Sequence, residues 1–143
     1  MRVMLCEDAK WLMSEEAFSI YAPCMYHPEY RDYMKRMEEY LSDPSIKIFV
    51  YEHRNRKTAI MVIDLSADIA EIIGIAVSDS SRHKGIGKQL IQHVMDSENL
   101  ESVMVQTDDY SIGFYRKCGF SEEKTIIEYA DGSAVRYNCV LCR

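Results

Sequence analysis

Basic residues and glycines suited to an anionic ligand lie together in one segment, RHKGIGK, at residues 82–88. The segment follows an apolar run, IIGIAV at 72–77, and precedes a helical pattern. Glycines let the backbone approach a ligand and expose N–H groups, and a helix N-terminus carries about half a positive charge. Because Arg82, Lys84 and Lys88 add full charges, the segment predicts a site for a phosphate-bearing ligand.

Two common phosphate-binding patterns do not fit this segment. A P-loop needs Ser or Thr after its Gly-Lys pair and another glycine five residues before that pair, but the chain has Gln89 and Arg82 there. A dinucleotide fingerprint needs a third glycine where the chain has Leu90. The remaining pattern, R-x-x-G-x-G from Arg82 to Gly87, suits a pyrophosphate such as that of coenzyme A. A basic loop with two turn glycines is the alternative.

Eleven segments carry the residue periodicity of a strand or a helix. In chain order they are strand 1–5, helix 7–22, helix 28–43, strands 46–52, 58–65 and 69–77, a helix around 90–95, strand 102–107, helix 109–118, and strands 124–130 and 134–141. The order is therefore β-α-α-β-β-β-α-β-α-β-β, and Pro28 is expected at the first helical position of the second helix.

The lengths of the connections predict how these segments are arranged. The turns between the three strands from 46 to 77 are tight, so these neighbours are expected to be antiparallel. The strand–helix–strand passage from 69 to 107 predicts a right-handed parallel crossover, and Asp131-Gly132 predicts a closing hairpin. The expected fold is a single α/β domain over residues 1–143, with a mixed, mostly antiparallel sheet and helices on both faces.

Composition limits the classes of function. The net charge of −6 argues against nucleic-acid binding, which needs a basic face. No apolar run approaches the ~20 residues of a membrane span, and the N-terminus lacks a signal-peptide pattern, so a cytoplasmic protein without membrane contact is expected. Cys139 and Cys142 form a C-x-x-C, but no second pair completes a zinc site, so no metal is predicted and buried or edge thiols are favoured.

Two stretches of the chain carry a resemblance to a known family. IIGIAVSDSSRHKGIGKQLI, residues 72–91, resembles the acetyl-CoA-binding signature of the GCN5-related N-acetyltransferase (GNAT) family, [QR]-x-x-G-x-[GA] after a strand ending in IAV. YSIGFYRKCGF, residues 110–120, is similar to the second signature of that family, a helix with a tyrosine before a K-x-G-F ending. The order of elements also matches, although residues 1–45 match only in pattern.

The resemblance implies where acetyl-CoA binds. The cosubstrate is expected where the fourth and fifth strands separate, with its pantetheine arm paired like an added strand to the backbone of Ile75, Ala76 and Val77. Core packing of these side chains is compatible with that role, because the backbone does the binding. The pyrophosphate is expected on main-chain N–H groups of the glycine segment, which comprises Arg82, His83, Lys84, Gly85, Ile86, Gly87 and Lys88.

The resemblance also implies a general acid. Tyr115 matches the tyrosine whose hydroxyl hydrogen-bonds the thioester sulfur and protonates the leaving thiolate of CoA. The ordinary pKa of a phenol, about 10, suits proton delivery to a thiolate as it forms. Aromatic packing next to Phe114 and Phe120 is the alternative interpretation of this residue.

A general base is implied on the fourth strand. Glu71 stands where some members of the family carry a glutamate, and partial burial there would raise its pKa. Alternation along the strand predicts that residues 71, 73 and 75 share one face. A solvated glutamate at the strand start is the alternative. Members with an acid on the fifth strand are not matched, because residues 102–107 contain none.

Asp108 departs from the pattern of the family. Members often carry Asn seven residues before the tyrosine, and an amide there can donate a hydrogen bond to the cofactor or substrate, which a carboxylate cannot. Asp108 could instead attract an ammonium group or cap the following helix. The cap is favoured, and a contact between Asp108 and the cofactor stays open.

Three functions are compared on these grounds. The first is an enzyme that moves an acetyl group from acetyl-CoA to a primary amine by direct attack. Cys118 is excluded as a nucleophile because a helix C-terminus disfavours a thiolate. The second is a non-catalytic acyl-CoA-binding or sensing module, against which Tyr115 counts. The third, a nucleotide- or nucleic-acid-binding domain, is disfavoured by the unmatched motifs and the acidic charge.

The acceptor amine is expected between the first two helices and the turn at 131–133, which carry no signature. A small-molecule amine and a protein amine both remain open, and a homodimer is one possible assembly. Five acidic residues could attract a cation or simply be solvated: Glu15, Glu16, Asp64, Asp68 and Asp108.

Overall fold

A computed structural model describes residues 2–143 of the chain. The strands within this range are Arg2–Leu5 (β1), Ile46–His53 (β2), Arg56–Asp64 (β3), Ala70–Val77 (β4), Ser102–Thr107 (β5), Ser121–Tyr129 (β6) and Gly132–Cys142 (β7). The α-helices are Ala9–Leu12 (α1), Glu15–Tyr21 (α2), Tyr30–Ser42 (α3), Ile86–Ser97 (α4) and Ile112–Lys117 (α5). Two 3₁₀ turns, Ala22–Cys24 and Asp79–Ser81, follow α2 and β4.

The strands form one sheet in the order β1-β2-β3-β4-β5-β7-β6. Every neighbouring pair is antiparallel except β4 and β5, which are parallel. This pair is joined only at its beginning, where Ala70 pairs with Val103 and Glu71 with Met104. Beyond these residues β4 and β5 separate. The predicted mixed, mostly antiparallel sheet with helices on both faces is confirmed.

A hydrophobic core covers each face of the sheet. On the α4/α5 face, the apolar spacing of α4 buries Leu90 and Ile91 against the inner strands. On the α1–α3 face, Tyr21, Tyr33 and Met37 are buried against the opposite side chains of those strands. The separation of β4 and β5 therefore leaves a gap between two packed layers of helices.

The single helix predicted over residues 7–22 is wrong, because two helices occupy this range. α1 ends at Leu12, and Ser14 caps α2. The Ser14 hydroxyl accepts a hydrogen bond from the Ala17 amide at 3.2 Å and donates one to the Trp11 carbonyl at 2.5 Å. Serine competes for backbone groups in this way, so it favours a cap over a helix interior.

α3 begins two residues later than the sequence predicts. Tyr30 is its first helical residue, and Glu29 before it has an extended backbone, with φ of −129° and ψ of 140°. Pro28 therefore precedes the helix instead of occupying its first position. The C-terminal end agrees with the prediction, since α3 ends at Ser42 immediately before Asp43-Pro44.

An irregularity interrupts the pairing of β3 with β4. Val62 pairs with Gly74, but the next residue of β3, Ile63, pairs with Ile72. Ile73 is thus an extra residue in β4, as in a β-bulge. Gly74 belongs to the same irregularity, because a Cβ at this position would overlap the Tyr21 hydroxyl and lie 2.8 Å from the ring carbon that carries it.

The bulge overturns the prediction that residues 71, 73 and 75 share one face. Ile72 is buried on the α4/α5 face, whereas Ile73 packs on the α1–α3 face. Ile75 packs on the α4/α5 face again, with Val77. A β-strand alternates its side chains only while its pairing is regular, so the extra residue moves Ile75 away from the face of Glu71 and Ile73.

Candidate active site

A cleft of about 1040 Å³ occupies the gap between β4 and β5. The C-terminal half of β4, the glycine segment, the end of β5 and the outer side of α5 line it. Pro23 and Cys24, which follow α2, and Arg136 of β7 complete the lining. Because α2 and α5 cover opposite faces of the sheet, the cleft passes through the sheet from one face to the other.

Most of the predicted glycine segment lines this cleft. Gly85 has a φ of +76° and immediately precedes α4, so the backbone turns there in the left-handed region that favours glycine. A Cβ at Gly85 would meet no atom within 4 Å. Of the seven predicted residues, Lys84 does not line the cleft. The other six do: Arg82, His83, Gly85, Ile86, Gly87 and Lys88.

Gly87 has a packing role in addition to its place in the cleft. A Cβ at this position would lie 2.7 Å from the Phe114 ring of α5. The glycine therefore lets the first turn of α4 approach α5 closely. This contact brings the two signature segments of the sequence together at the mouth of the cleft.

The backbone of β4 presents Ile75 and Val77 to the open gap. The Ser78 amide donates to the Thr58 carbonyl of β3 at 2.8 Å. Backbone groups alternate in direction along an antiparallel pair, so Ala76 also bonds to β3. The predicted role of Ala76 in pairing with a ligand is therefore not supported by the direction of its backbone groups.

Side chains already contact the two carbonyls that face the gap. The Cys24 thiol donates to the Ile75 carbonyl, with sulfur and oxygen 3.3 Å apart. The Arg82 Nε donates to the Val77 carbonyl at 3.1 Å, while its Nη1 pairs with the Asp79 carboxylate at 3.0 Å. Arg82 thus fixes the end of β4 to the loop that follows it. Burial raises the pKa of Cys24 to about 11, so this thiol is neutral near pH 7.

Tyr115 lines the cleft from α5 and is 5% exposed. Its ring packs edge-on against Phe114 and Phe120, with centroids 5.0 and 5.2 Å away. Burial raises the pKa of the phenol above its ordinary value. No hydrogen bond to its hydroxyl is found among residues 2–143. The aromatic packing is confirmed, and the acid role of this available hydroxyl stays a prediction.

Glu71 does not line the cleft. It lies at the exposed start of β4, opposite Asp64 of β3 and beside Met104 of β5. The solvated position is therefore the one that the structure shows, and the partial burial considered for this residue is absent. Its role as a general base stays a prediction.

Asp108 lines the cleft, but its carboxylate is engaged in a turn. One oxygen accepts from the Tyr110 and Ser111 amides at 3.0 and 3.1 Å, and the Asp108 carbonyl accepts from the Ile112 amide at 3.1 Å. The carboxylate therefore stabilises the turn that precedes α5, whereas Ser111 is the N-cap residue of the helix and makes no side-chain cap hydrogen bond. These bonds also delay the start of α5, which was predicted from residue 109 and begins at Ile112.

Several lining residues lie outside the motifs of the sequence. Cys24, Gln106 and Arg136 come from three separate elements. Strand alternation along β7 is the one sequence pattern that places Arg136 and the buried Tyr137 on opposite faces of the sheet. Nothing in the sequence indicated that Cys24 would reach β4.

The comparisons with known proteins agree with this geometry. A family model described as the acetyltransferase (GNAT) family matches residues 14–120. The chain belongs to this family. Histone acetyltransferase GCN5 of Debaryomyces hansenii is 32% identical over 63 residues, which are 41% of this chain and 14% of that protein. The chain thus matches a small part of the length of this GNAT relative.

Solved GNAT structures share the whole fold. An acetyltransferase of Bacillus subtilis in complex with CoA is 18% identical with a TM-score of 0.71, over 99% of this chain and 98% of that one. An aminoglycoside 6′-N-acetyltransferase complexed with coenzyme A is 13% identical with a TM-score of 0.77, over 99% and 97% of the two chains. At these identities the likeness establishes the fold.

The C-x-x-C thiols and the helices bear on the predictions about a metal site and a membrane span. Cys139 is buried and Cys142 exposed, and both are free thiols. Residues 2–143 hold no group of three or more His, Cys, Asp or Glu side chains arranged for a metal ion. None of the helices in this range is both long and apolar enough to cross a membrane.

Proposed function

We propose that this GNAT protein transfers the acetyl group of acetyl-CoA to a primary amine by direct attack of the amine nitrogen. The observation that carries the proposal is the cleft itself. It joins an open strand edge, a glycine turn at a helix N-terminus and a tyrosine hydroxyl in one continuous space. A ligand with an extended amide arm and a pyrophosphate fits these three features together.

The cleft residues fit the parts of acetyl-CoA. Ile75 and Val77 would pair with the pantetheine amides, since their backbone groups face the gap. Gly85 would let the pyrophosphate approach the free N–H groups of the first turn of α4. Lys88 is exposed on that turn and lines the cleft, so it would add a charge beside the phosphates.

Tyr115 would act where the carbon–sulfur bond of the thioester breaks. Its raised pKa keeps the hydroxyl protonated at neutral pH, so it is available as a hydrogen-bond donor. A donor aimed at sulfur stabilises the negative charge that develops as the thiolate leaves. The new carbon–nitrogen bond forms in the same step, and the amine gives up one proton.

The proton of the amine requires an acceptor. Glu71 is proposed to receive it through intervening water, because its side chain does not line the cleft. A general base can act through one intervening water. Glu71→Gln should then lower turnover most at low pH, where fewer amines are already neutral. An unchanged pH profile would remove the assignment.

Release of free thiol from acetyl-CoA tests the proposed function. The protein is mixed with acetyl-CoA and a panel of primary amines, and CoA thiol is followed with time. Release that depends on both an amine and the protein is expected. Tight acetyl-CoA binding without release for any amine would instead support the non-catalytic binding module.

A further inference from the structure

Basic residues line both ends of the cleft, and they come from different elements at each end. Arg82, Lys88 and Lys117 lie towards α4 and α5, where the proposed function places the phosphates of CoA. The opposite end opens on the α1–α3 face. A thioester held in the gap would be approached by its acceptor from that second end.

Arg136 contributes a positive charge at the acceptor end. Val135, Tyr137 and Cys139 of β7 pack on the α4/α5 face, so Arg136 between them points to the α1–α3 face. Gln106 lies on this face too, and its amide bonds to Asn138 at 3.2 Å. The lining residues at this end are Pro23, Cys24, Ile73, Gln106 and Arg136.

The Arg136 guanidinium has donors to spare. It is half-buried, and its Nη1 donates to the Val135 carbonyl at 2.9 Å. Its central carbon lies 5.9 Å from the centroid of the Tyr129 ring. Within residues 2–143 it forms no ion pair. A guanidinium carries five N–H donors in a planar fork, so most of them remain available to a ligand.

Most of the acidic residues considered for a cationic acceptor lie outside the cleft. Of the five acidic residues considered for a cationic acceptor, only Asp108 lines the cleft. Its carboxylate is bound by the Tyr110 and Ser111 amides. Glu16 accepts from the Trp11 indole at 2.9 Å, outside the cleft. The attraction of a polycation that these acids suggested is therefore not supported by their positions.

We propose that the acceptor is an amine that also carries a carboxylate, as an α-amino acid does, and that Arg136 binds this carboxylate. The proposal rests on the proposed acetyl transfer. A guanidinium and a carboxylate match in geometry and form two parallel hydrogen bonds. Polyamines and other polycations meet only repulsion from Arg136. The residue determines specificity and does not touch the reacting atoms.

Matched pairs of amines test the proposal. Each pair is an amino acid and the amine left when its carboxylate is removed: phenylalanine with phenethylamine, and lysine with cadaverine. Release of CoA thiol gives kcat and KM for each, with spermidine as a polycation. We expect the amino acids to have the higher kcat/KM.

The variant Arg136→Gln supplies the decisive comparison. Deleting a charged hydrogen-bond partner should lower kcat/KM for the amino acids about 10- to 100-fold, mainly through KM. Arg136→Lys should recover part of the loss. For each amine, the kcat/KM of the wild type is divided by that of the variant. This ratio cancels the different basicities of the two amines in a pair. Arg31→Gln, on an exposed part of α3 outside the cleft, is the matched control.

The possible outcomes separate the two proposals. Faster transfer to cadaverine or spermidine than to amino acids would overturn the carboxylate acceptor and leave acetyl transfer standing. A preference for amino acids that survives Arg136→Gln would overturn the role of Arg136. Tight acetyl-CoA binding without thiol release from any pair would overturn both. If Arg136→Gln fails to fold, Arg136→Lys and the wild-type panel still decide.

Discussion

Tyr115 combines burial with a hydroxyl that bonds to no other group among residues 2–143. Its ring packs between two phenylalanines, and this packing positions the hydroxyl. Desolvation penalises the phenolate. The phenol therefore stays protonated at neutral pH, where it is available as a hydrogen-bond donor.

Tyr115→Phe removes only this hydroxyl. We expect turnover to fall roughly 100-fold, within the usual contribution of a general acid, because the thiolate loses its donor. The Kd for acetyl-CoA should change little, since the ring still packs. Thiol release and calorimetric titration measure the two quantities. Tyr26→Phe, at a tyrosine that is 85% exposed outside the cleft, is the control. Unchanged turnover of Tyr115→Phe would remove the acid role.

Gly85 provides a second prediction at the scale of single residues. Gly85→Glu places a carboxylate at the proposed pyrophosphate site, so acetyl-CoA binding should weaken at least about 100-fold through charge repulsion. Gly132→Glu is a matched control, because Gly132 also has a positive φ, +137°, and open space around its Cβ position. Strain at Gly132→Glu should be at least as large as at Gly85→Glu, because a φ of +137° lies farther from the left-handed region that other residues adopt.

Calorimetric measurement of acetyl-CoA binding distinguishes the effects of the two substitutions. Gly132→Glu should bind like the wild type, and circular dichroism should show both variants folded. Normal affinity in folded Gly85→Glu would refute the pyrophosphate site.

At the scale of elements, α2 and β4 are locked together at the bulge. Tyr21 is 1% exposed and its hydroxyl lies against the backbone of Gly74. Gly74→Ala should destabilise the fold by about 1–3 kcal/mol, the usual range for overpacking. Urea denaturation measures the change, and adding Tyr21→Phe should recover part of it.

Gly113→Ala is the matched control for that prediction. Gly113 lies in α5, and a Cβ there would meet no atom within 4 Å. Alanine in a helix should leave stability unchanged or raise it by up to about 1 kcal/mol. Equal stability of Gly74→Ala and wild type would show that Tyr21 does not restrain β4.

An ion pair connects α5 to β6. Arg116 donates to both carboxylate oxygens of Glu122 at 2.7 Å, and the pKa of Glu122 is lowered by these hydrogen bonds. The pair therefore stabilises the fold fully above pH 4.5, the ordinary value, and loses this effect as pH falls through the lowered pKa. Thermal midpoints of wild type and Glu122→Gln should differ at pH 7 and converge as the pH falls through the lowered pKa of Glu122. A constant difference would contradict this.

The sequence predicted the helices and strands better than their boundaries and mutual contacts. Strand alternation and the glycine turn are local patterns. Residue types alone therefore predicted the strands of the sheet and the position of the turn at segment 82–88. The break at Ser14 depends on a side chain competing for the backbone, and the extra Ile73 depends on pairing with β3. Arg136 and Cys24 reach the cleft only because distant elements pack together. Such tertiary contacts leave no periodic pattern in one sequence.

At the scale of the whole molecule, charge is unevenly distributed. The chain has a net charge of −6, yet the charged residues of the cleft are mostly basic. Arg82, Lys88, Lys117 and Arg136 line it together with a single carboxylate, that of Asp108. An acidic surface around a basic cleft directs anionic ligands to one place.

Binding of acetyl-CoA should therefore weaken as salt is raised. Exposed charges are screened over about 10 Å at 0.1 M salt, so the Kd should rise severalfold between 0.05 and 0.5 M NaCl on these grounds. Acetyl-pantetheine, which lacks the phosphates, is the control and should show little change. Equal salt dependence of the two ligands would place the phosphates outside the basic end of the cleft.

The two residue pairs that join β4 to β5 have a consequence for stability. Beyond these two pairs, the edge of β4 that faces β5 has no neighbouring strand among residues 2–143. A ligand paired to Ile75 and Val77 would occupy this edge. Anything that binds only the native state adds RT ln(1 + [L]/Kd) to its stability, about 2.7 kcal/mol at a hundredfold excess over Kd. The melting temperature of this protein would then report the supply of CoA thioesters around it.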